Sequence, residues 1–123
     1  MFGPKAAFSG FSVDDLDKAR RFYRDTLGLA VSDDGPGFRI GLPGEGSVFA
    51  YPKPDHQPAS FTILNFVVDN IGTAVDDLRK RGVNFKRYAG LEVDDKGIFR
   101  KGGPLIAWFT DPAGNVLSVL QSG

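Results

Sequence analysis

The amino-acid sequence predicts an α+β fold of two βαβββ modules, whose curved mixed sheet carries a helix packed outside each module. Two observations lead to this prediction. A segment that is first strand-like and then helix-like occurs twice, 55 positions apart, and short strand patterns outnumber helical ones. The copies open at Phe11 and Phe66, and their helical parts stop at Gly28 and Gly82. A duplicated unit of this kind cannot bury its apolar face alone, so the two copies are expected to pair.

The first module is predicted over about residues 5–57. It opens with a strand at 6–13, after which Asp14 or Asp15 can cap a helix by accepting hydrogen bonds from its first amides. Apolar residues recur every three or four positions from Leu16, and Gly28 can end the helix in a left-handed conformation. Short apolar runs then predict strands at 29–32, 38–42 and 47–51.

A second module is predicted over about residues 59–122, after a connector at 52–58 in which prolines disfavour regular structure. Its predicted elements repeat the order of the first module: a strand at 61–68, a helix at 71–81, and strands at 83–88, 104–110 and 116–121. Residues 89–103 are extra length, which is typical of a functional loop and equally of a solvated insertion. We expect the whole chain, residues 1–123, to form a single domain.

Composition excludes several classes of function. Fifteen basic and fifteen acidic residues balance, so no overall charge draws the chain to nucleic acid or to an anionic membrane. Cysteine is absent, which excludes disulfides, thiolate metal sites and a cysteine nucleophile. The chain begins without a signal-peptide pattern and has no apolar run of the ~20 residues that span a bilayer. We therefore expect a cytoplasmic protein with no nucleic-acid or membrane partner.

Three features together resemble the vicinal oxygen chelate superfamily, which contains glyoxalase I, bleomycin-resistance proteins, fosfomycin-resistance enzymes and extradiol dioxygenases. They are the paired openings, the helix ending FYRDTLGL at 22–29 and the hairpin turn WFTDPAGN at 108–115. The resemblance covers essentially the whole chain. It implies βαβββ modules that form a cup, usually in a dimer. In the enzymes it also implies a divalent metal held by His and Glu on inward-facing strand positions.

The metal-ligand positions implied by the resemblance carry other residues in this chain. They fall on Phe8, Ile63 and Ser118, and on Phe49 or Ala50 in the strand at 47–51. Phenyl, alkyl and single hydroxyl groups do not make a ligand set for a divalent cation. We therefore predict no metal, no cofactor and no catalytic residue. Because the chemistry of the family depends on a metal, its reactions are not expected here.

The same positions favour binding of a small organic ligand. Aromatic residues are 12% of the chain, and several fall on strands that line the cup in the resemblance. Such a cavity suits planar or amphipathic organic compounds better than phosphates or small acids. The sequence thus predicts a non-catalytic, homodimeric binding protein similar to the bleomycin-resistance branch. The predicted ligand-binding residues are Phe8, Phe49, Tyr51, Ile63, Trp108 and Ser118.

Two other interpretations stay open. One is a metal-dependent lyase, isomerase or dioxygenase whose ligands have moved to His56, the single histidine, and to acidic residues of the 89–103 loop. The other is a structural or interaction module whose cup is filled by its own aromatic rings. His56 is expected either as an exposed imidazole or as a rim residue that contacts a ligand or the partner subunit. Glu92 is expected either on a solvated loop or as a rim carboxylate.

Overall fold

Two compact units make up the chain in the computed structural model, which describes residues 1–44 and 46–121. The first unit is Met1–Gln57, and the second begins at Pro58. Each contains a four-stranded mixed sheet and follows the order strand, helix and three strands. The α+β class and the paired βαβββ organisation are therefore confirmed. Ser122, where the second module was predicted to end, lies outside the described residues.

In the first unit the strand order is β1-β4-β3-β2. Strands β1 and β4 run parallel, whereas the other neighbouring pairs are antiparallel. The helical segment begins as an α-helix and continues as one π-helical turn. The bounds are β1 Ser9–Val13, α1 Leu16–Arg21, the π turn Phe22–Thr26, β2 Ala30–Asp34, β3 Gly37–Gly41 and β4 Ser47–Pro52.

The second unit repeats this topology, with the strand order β5-β8-β7-β6 and a parallel pair β5 and β8. The predicted strand at 83–88 is only two residues long, because it pairs with β7 at Phe109 and Trp108 alone. The pairing of β5 with β8 shifts register between Thr62 and Leu64. The bounds are β5 Thr62–Val67, α2 Ile71–Lys80, β6 Phe85–Lys86, β7 Leu105–Thr110 and β8 Val116–Gln121.

Both α-helices begin at a side-chain cap. Asp15 accepts a hydrogen bond from the amide of Lys18 at 3.0 Å, and Asn70 accepts one from the amide of Thr73 at 3.0 Å. The first helical segment ends before Gly28, whose φ of 72° is the left-handed conformation expected there. No helix in the part of the chain that the structure describes is long and apolar enough to cross a membrane.

The extra length at 89–103 is folded against β7. Phe99 forms isolated β-bridges with Val93 and with Ile106. Asp94 organises the turn, because its Oδ1 accepts hydrogen bonds from the amides of Lys96 and Ile98, each at 2.9 Å. This segment thereby brings an aromatic side chain to the edge of the second sheet.

Candidate functional site

Each sheet has one face on its own buried core, and we call the opposite side its second face. In β3 and β4 of the first unit, Phe38, Ile40, Val48 and Ala50 are buried, whereas Phe49 between them is only half-buried. Side chains of a strand alternate between the two faces. Phe49 and Tyr51 therefore share the second face.

The three aromatic residues predicted in the first module lie together. Phe8, just before β1, meets Phe49 edge to face with ring centroids 6.5 Å apart. Phe49 and Tyr51 stack at 6.1 Å with 20° between their planes. Phe8 remains 61% exposed and Tyr51 36%, so both keep area that a ligand could cover. This aromatic cluster is the candidate site of the first unit.

Arg39 belongs to this cluster, and sequence reasoning missed it. Its guanidinium carbon lies 4.5 Å from the centroid of Phe8 and 5.8 Å from that of Phe49, which is cation–π geometry. The group is fixed by Asp34, 2.8 Å from Nη2, and it donates from Nη1 to the Ser47 hydroxyl at 3.0 Å. Its position between two apolar residues, Phe38 and Ile40, in a predicted strand could have indicated that Arg39 lies on the face opposite the core.

In the second unit, four residues form a line across the sheet through their strand pairing. Asn65 pairs with Ser118, Ser118 with Trp108, and Trp108 with Lys86. Partners in register on neighbouring strands project to the same side of a sheet. We call Asn65, Ser118, Trp108 and Lys86 the second-unit row. The structure thus places the predicted residues Trp108 and Ser118 beside each other.

The hydroxyl of Ser118 is already used within this row. It is fully buried and donates to Oδ1 of Asn65 at 2.6 Å. Asn65 itself is exposed, and its Nδ2 has no hydrogen-bond partner among the described residues. Among the ligand-binding residues predicted from the sequence, Ser118 was the one whose polar side-chain group is not an aromatic substituent. In the structure the accessible polar side chain is that of Asn65, not that of Ser118. No sequence pattern around Asn65 indicated this.

Two further rings surround Trp108. Tyr88 meets it edge to face at 5.8 Å, and Phe99 lies at 6.4 Å with an angle of 47°. The hydroxyl of Tyr88 is buried and has no hydrogen-bond partner within the described residues. Trp108 is therefore held by neighbours on its own unit while remaining half-buried. Sequence reasoning did not select either neighbour.

Ile63 lies in β5 at the irregularity between Thr62 and Leu64. It is half-buried, and the strand pairing gives it no partner in β8. The structure therefore does not bring it into register with Ser118 or Trp108. Its role in a ligand site stays a prediction.

His56 is not the exposed imidazole that one interpretation expected. It is half-buried, and its Nδ1 lies 2.6 Å from the hydroxyl of Ser12 in β1. The connector reaches β1 because the amide of Lys53 donates to the carbonyl of Val13 at 3.0 Å. Because the connector continues the pairing of β4 with β1, it holds His56 against Ser12 and keeps the imidazole half-buried. Its role as a rim residue stays a prediction.

Two of the three acidic residues of the 89–103 segment form ion pairs within that segment. Glu92 is exposed and lies 2.6 Å from Nζ of Lys101, and Asp94 lies 2.7 Å from Nε of Arg100. Burial acts to raise the pKa of Asp94, but hydrogen bonds from Arg100 and two backbone amides hold it below its ordinary value. Glu92 also borders a hollow of about 160 Å³ formed by this segment.

The residues at the implied metal positions do not fit a metal ion. Phe8 and Phe49 present rings that contact each other, Ile63 is alkyl, and the Ser118 hydroxyl bonds to Asn65. Divalent metals in proteins are held by imidazole, carboxylate, carbonyl or thiolate groups. Over residues 1–44 and 46–121, no three His, Asp or Glu side chains are grouped so as to hold one.

Comparisons with known proteins agree with this fold. The model of the Glyoxalase/Bleomycin resistance protein/Dioxygenase superfamily matches residues 7–119. Among solved structures, TnmS3, an antibiotic binding protein from Streptomyces sp. CB03234, is 25% identical with a TM-score of 0.70, over 99% of this chain and 100% of that one. A putative glyoxalase family protein from Bacillus anthracis is 18% identical with a TM-score of 0.70, over 100% of both chains.

A superfamily member from Sphaerobacter thermophilus DSM 20745 is 23% identical with a TM-score of 0.67, over 95% of this chain and 98% of that one. At these identities, the Bacillus and Sphaerobacter structures indicate the fold alone. No curated protein matches the chain.

Proposed function

The chain belongs to the glyoxalase/bleomycin resistance protein/dioxygenase superfamily, and we propose that it binds a small aromatic or amphipathic compound without transforming it. The observation that carries this proposal is the chemistry of the second faces. Positions that would hold a metal bear an exposed aromatic cluster in the first unit and a hydrogen-bonding row around Trp108 in the second. The antibiotic binding protein TnmS3, similar over 99% of this chain, supports the same class of function.

The proposed contacts are dispersive and aromatic. A ring stacked on Phe8, Tyr51 or Trp108 gains roughly 0.5–1.5 kcal/mol per pair beyond the burial of its area. Phe8 and Tyr51 have area left to bury, being 61% and 36% exposed. Phe49 contacts both rings of the first unit. In the second unit, Ile63 and Ser118 are proposed as further ligand-binding residues. Sequestration of a compound needs affinity alone, which such contacts supply.

The proposal includes a metal-free site. His56 approaches Ser12, whereas Glu92 and Asp94 pair with Lys101 and Arg100, so no observation on the described residues favours an enzyme with relocated ligands. Elemental analysis of the purified protein is expected to give less than stoichiometric zinc, nickel, manganese or iron. One metal ion per chain would contradict this part of the proposal.

We further propose that the protein acts as a homodimer. Strands β1 and β5 lie at the edges of their own sheets, and edge strands carry unpaired backbone groups that favour pairing with another chain. Apolar side chains at the two ends of β5 are exposed: Phe61, just before the strand, and Val67, its last residue, are each 70% exposed. Exposed apolar surface of this kind is typical of interaction sites.

Fluorescence of Trp108, the single tryptophan, tests the binding function directly. We expect quenching by at least one compound in a panel of bleomycin-type, quinone-type and mitomycin-type molecules. The dissociation constant should be below about 100 µM, equivalent to roughly −5.5 kcal/mol. Calorimetry should show weaker binding for Phe8→Ala and Tyr51→Ala. It should show unchanged binding for Phe2→Ala, an exposed ring outside the cluster.

An activity assay tests the alternative that the protein is a metal-dependent enzyme. Isomerisation of a hemithioacetal is assayed with and without added divalent metal, and no turnover is expected in either case. Metal-dependent turnover, together with no binding across the panel, would replace the proposed function by the enzymatic one.

A further inference from the structure

The second-unit row limits which aromatic compounds fit. We propose that it binds the oxygen-bearing edge of a planar aromatic ligand, such as an aryl ketone or quinone. Trp108 stacks on the ring, and Asn65 donates to the ligand's carbonyl oxygen. This inference rests on the proposed function and adds the chemical class of the ligand.

The direction of hydrogen bonding selects this class. Ser118 donates its single proton to Oδ1 of Asn65 at 2.6 Å, so this hydroxyl has none left for a ligand. The same bond orients the amide of Asn65 and leaves its two Nδ2 protons as the exposed polar group beside the row. A ligand that covers these two protons must therefore bring an acceptor to pair with them. An edge that brings only donors leaves these protons unpaired when the site is covered, which costs binding energy.

The charge of the row also favours a ligand that carries acceptor groups and no positive charge. Lys86 stands at its far end, is exposed, and has no ion pair among the described residues. None of the four row residues is acidic. Neighbouring strands lie about 4.8 Å apart, so the row from Asn65 to Lys86 is about 14 Å long. This length accommodates a ligand of two or three fused rings with acceptor groups, and the ammonium group disfavours a cationic ligand.

The duplicated position in the first unit has no such donor. Strand pairing there aligns Gly10 with Phe49, Phe49 with Arg39, and Arg39 with Ser32. Gly10 thus stands where the second unit has Asn65. A Cβ at Gly10 would lie 3.2 Å from the carbonyl oxygen of Phe49, which leaves little room for a side chain. Arg39 is the cationic donor in this row of the first unit, but its guanidinium is held by Asp34 and Ser47. The role of binding the ligand's acceptor is therefore assigned to Asn65 of the second unit.

Equilibrium dialysis with three naphthalene probes tests the inference. 2-Acetylnaphthalene carries an acceptor, 2-ethylnaphthalene has a similar shape without it, and 2-(aminomethyl)naphthalene carries a cationic donor. We expect the native protein to bind the acetyl compound roughly three- to tenfold more tightly than the ethyl compound, and the cationic compound most weakly. Asn65→Asp keeps an acceptor for Ser118 but replaces Nδ2 by oxygen. It should abolish the preference for the acetyl compound and improve binding of the cation.

Asn84→Asp is the matched control, because it adds the same charge at an exposed asparagine of the same unit outside the row. It should leave all three affinities unchanged, and thermal unfolding should show that both variants fold. Equal binding of the acetyl and ethyl compounds by the native protein, or an unchanged preference in Asn65→Asp, would overturn the inference while small-molecule binding stands. Absence of binding by all three probes would also overturn it. The fluorescence panel then decides separately on the proposed function.

Discussion

At the scale of single residues, the buried hydroxyl of Tyr88 has a clear structural cost, because it lacks a hydrogen-bond partner among the described residues. Its ring packs against Trp108 at 5.8 Å, but no described residue accepts or donates a hydrogen bond at its oxygen. A buried polar group without a partner costs about 1–3 kcal/mol of stability. Tyr88 therefore lowers the stability of the unliganded protein, and its hydroxyl places a polar atom close to Trp108.

Tyr88→Phe should stabilise the unliganded protein. The substitution removes the unpaired oxygen and keeps the ring, so the free energy of unfolding should rise by about 1 kcal/mol. Urea denaturation measures this change. Tyr51→Phe is the control, since its oxygen belongs to an exposed side chain and its removal should change stability by less than about 0.5 kcal/mol. A destabilisation by Tyr88→Phe would mean that the hydroxyl has a partner, such as an ordered water.

Local rules predicted some single residues and missed others. Asp15 and Gly28 have the predicted cap and left-handed conformation because both roles depend on neighbours within a few positions. The bond between Asn65 and Ser118 joins residues 53 positions apart. It depends on the register of β5 against β8, and the register shift beside Ile63 makes this register unreadable from alternation alone.

At the scale of elements, the Asp94 carboxylate makes several of the contacts that order the 89–103 segment. Asp94 bonds to the amides of Lys96 and Ile98 and to Arg100, while Arg87 donates to the carbonyls of Asp94 and Asp95. The sequence predicted the extra length but not this order. The reason is that the stabilising contacts are side chain to backbone and leave no periodic pattern of apolar residues.

Asp94→Asn should loosen this segment. The pKa of Asp94 is lowered in the fold, so its carboxylate stabilises the segment above the ordinary value of 3.8, and that contribution is lost as the pH falls below it. Hydrogen-exchange protection of the Ile98 and Lys96 amides should therefore fall in acid for the native chain. In Asp94→Asn it should be low even at neutral pH, with a loss of about 1 kcal/mol or less because the site is partly exposed.

Asp95→Asn is the control for this measurement. The Asp95 side chain is exposed and makes no hydrogen bond or ion pair within the described residues. Its substitution should leave the protection of both amides unchanged. Equal loss of protection in the two variants would show that Asp94 is not the organising residue.

At the scale of the whole molecule, the duplication was the feature easiest to read from sequence. Both copies keep the apolar spacing of one βαβββ unit, and the structure repeats the strand order with one parallel pair in each sheet. The second faces of the two sheets were harder to predict. The rows at equivalent positions differ, with Gly10, Phe49 and Arg39 in one unit and Asn65, Ser118 and Trp108 in the other. The two copies therefore share their strand order and differ in the side chains on their second faces.

The proposed homodimer is the prediction that belongs to this scale. Light scattering at tens of micromolar should give twice the chain mass of 13.3 kDa. Val67→Lys places a charge on the edge strand β5 at a side chain that is 70% exposed, so it should favour the monomer without disturbing a core. Leu91→Lys, at a residue 39% exposed and outside the strands, should leave the dimer intact. A monomeric native chain, or a dimer that survives Val67→Lys unchanged, would contradict pairing at this edge.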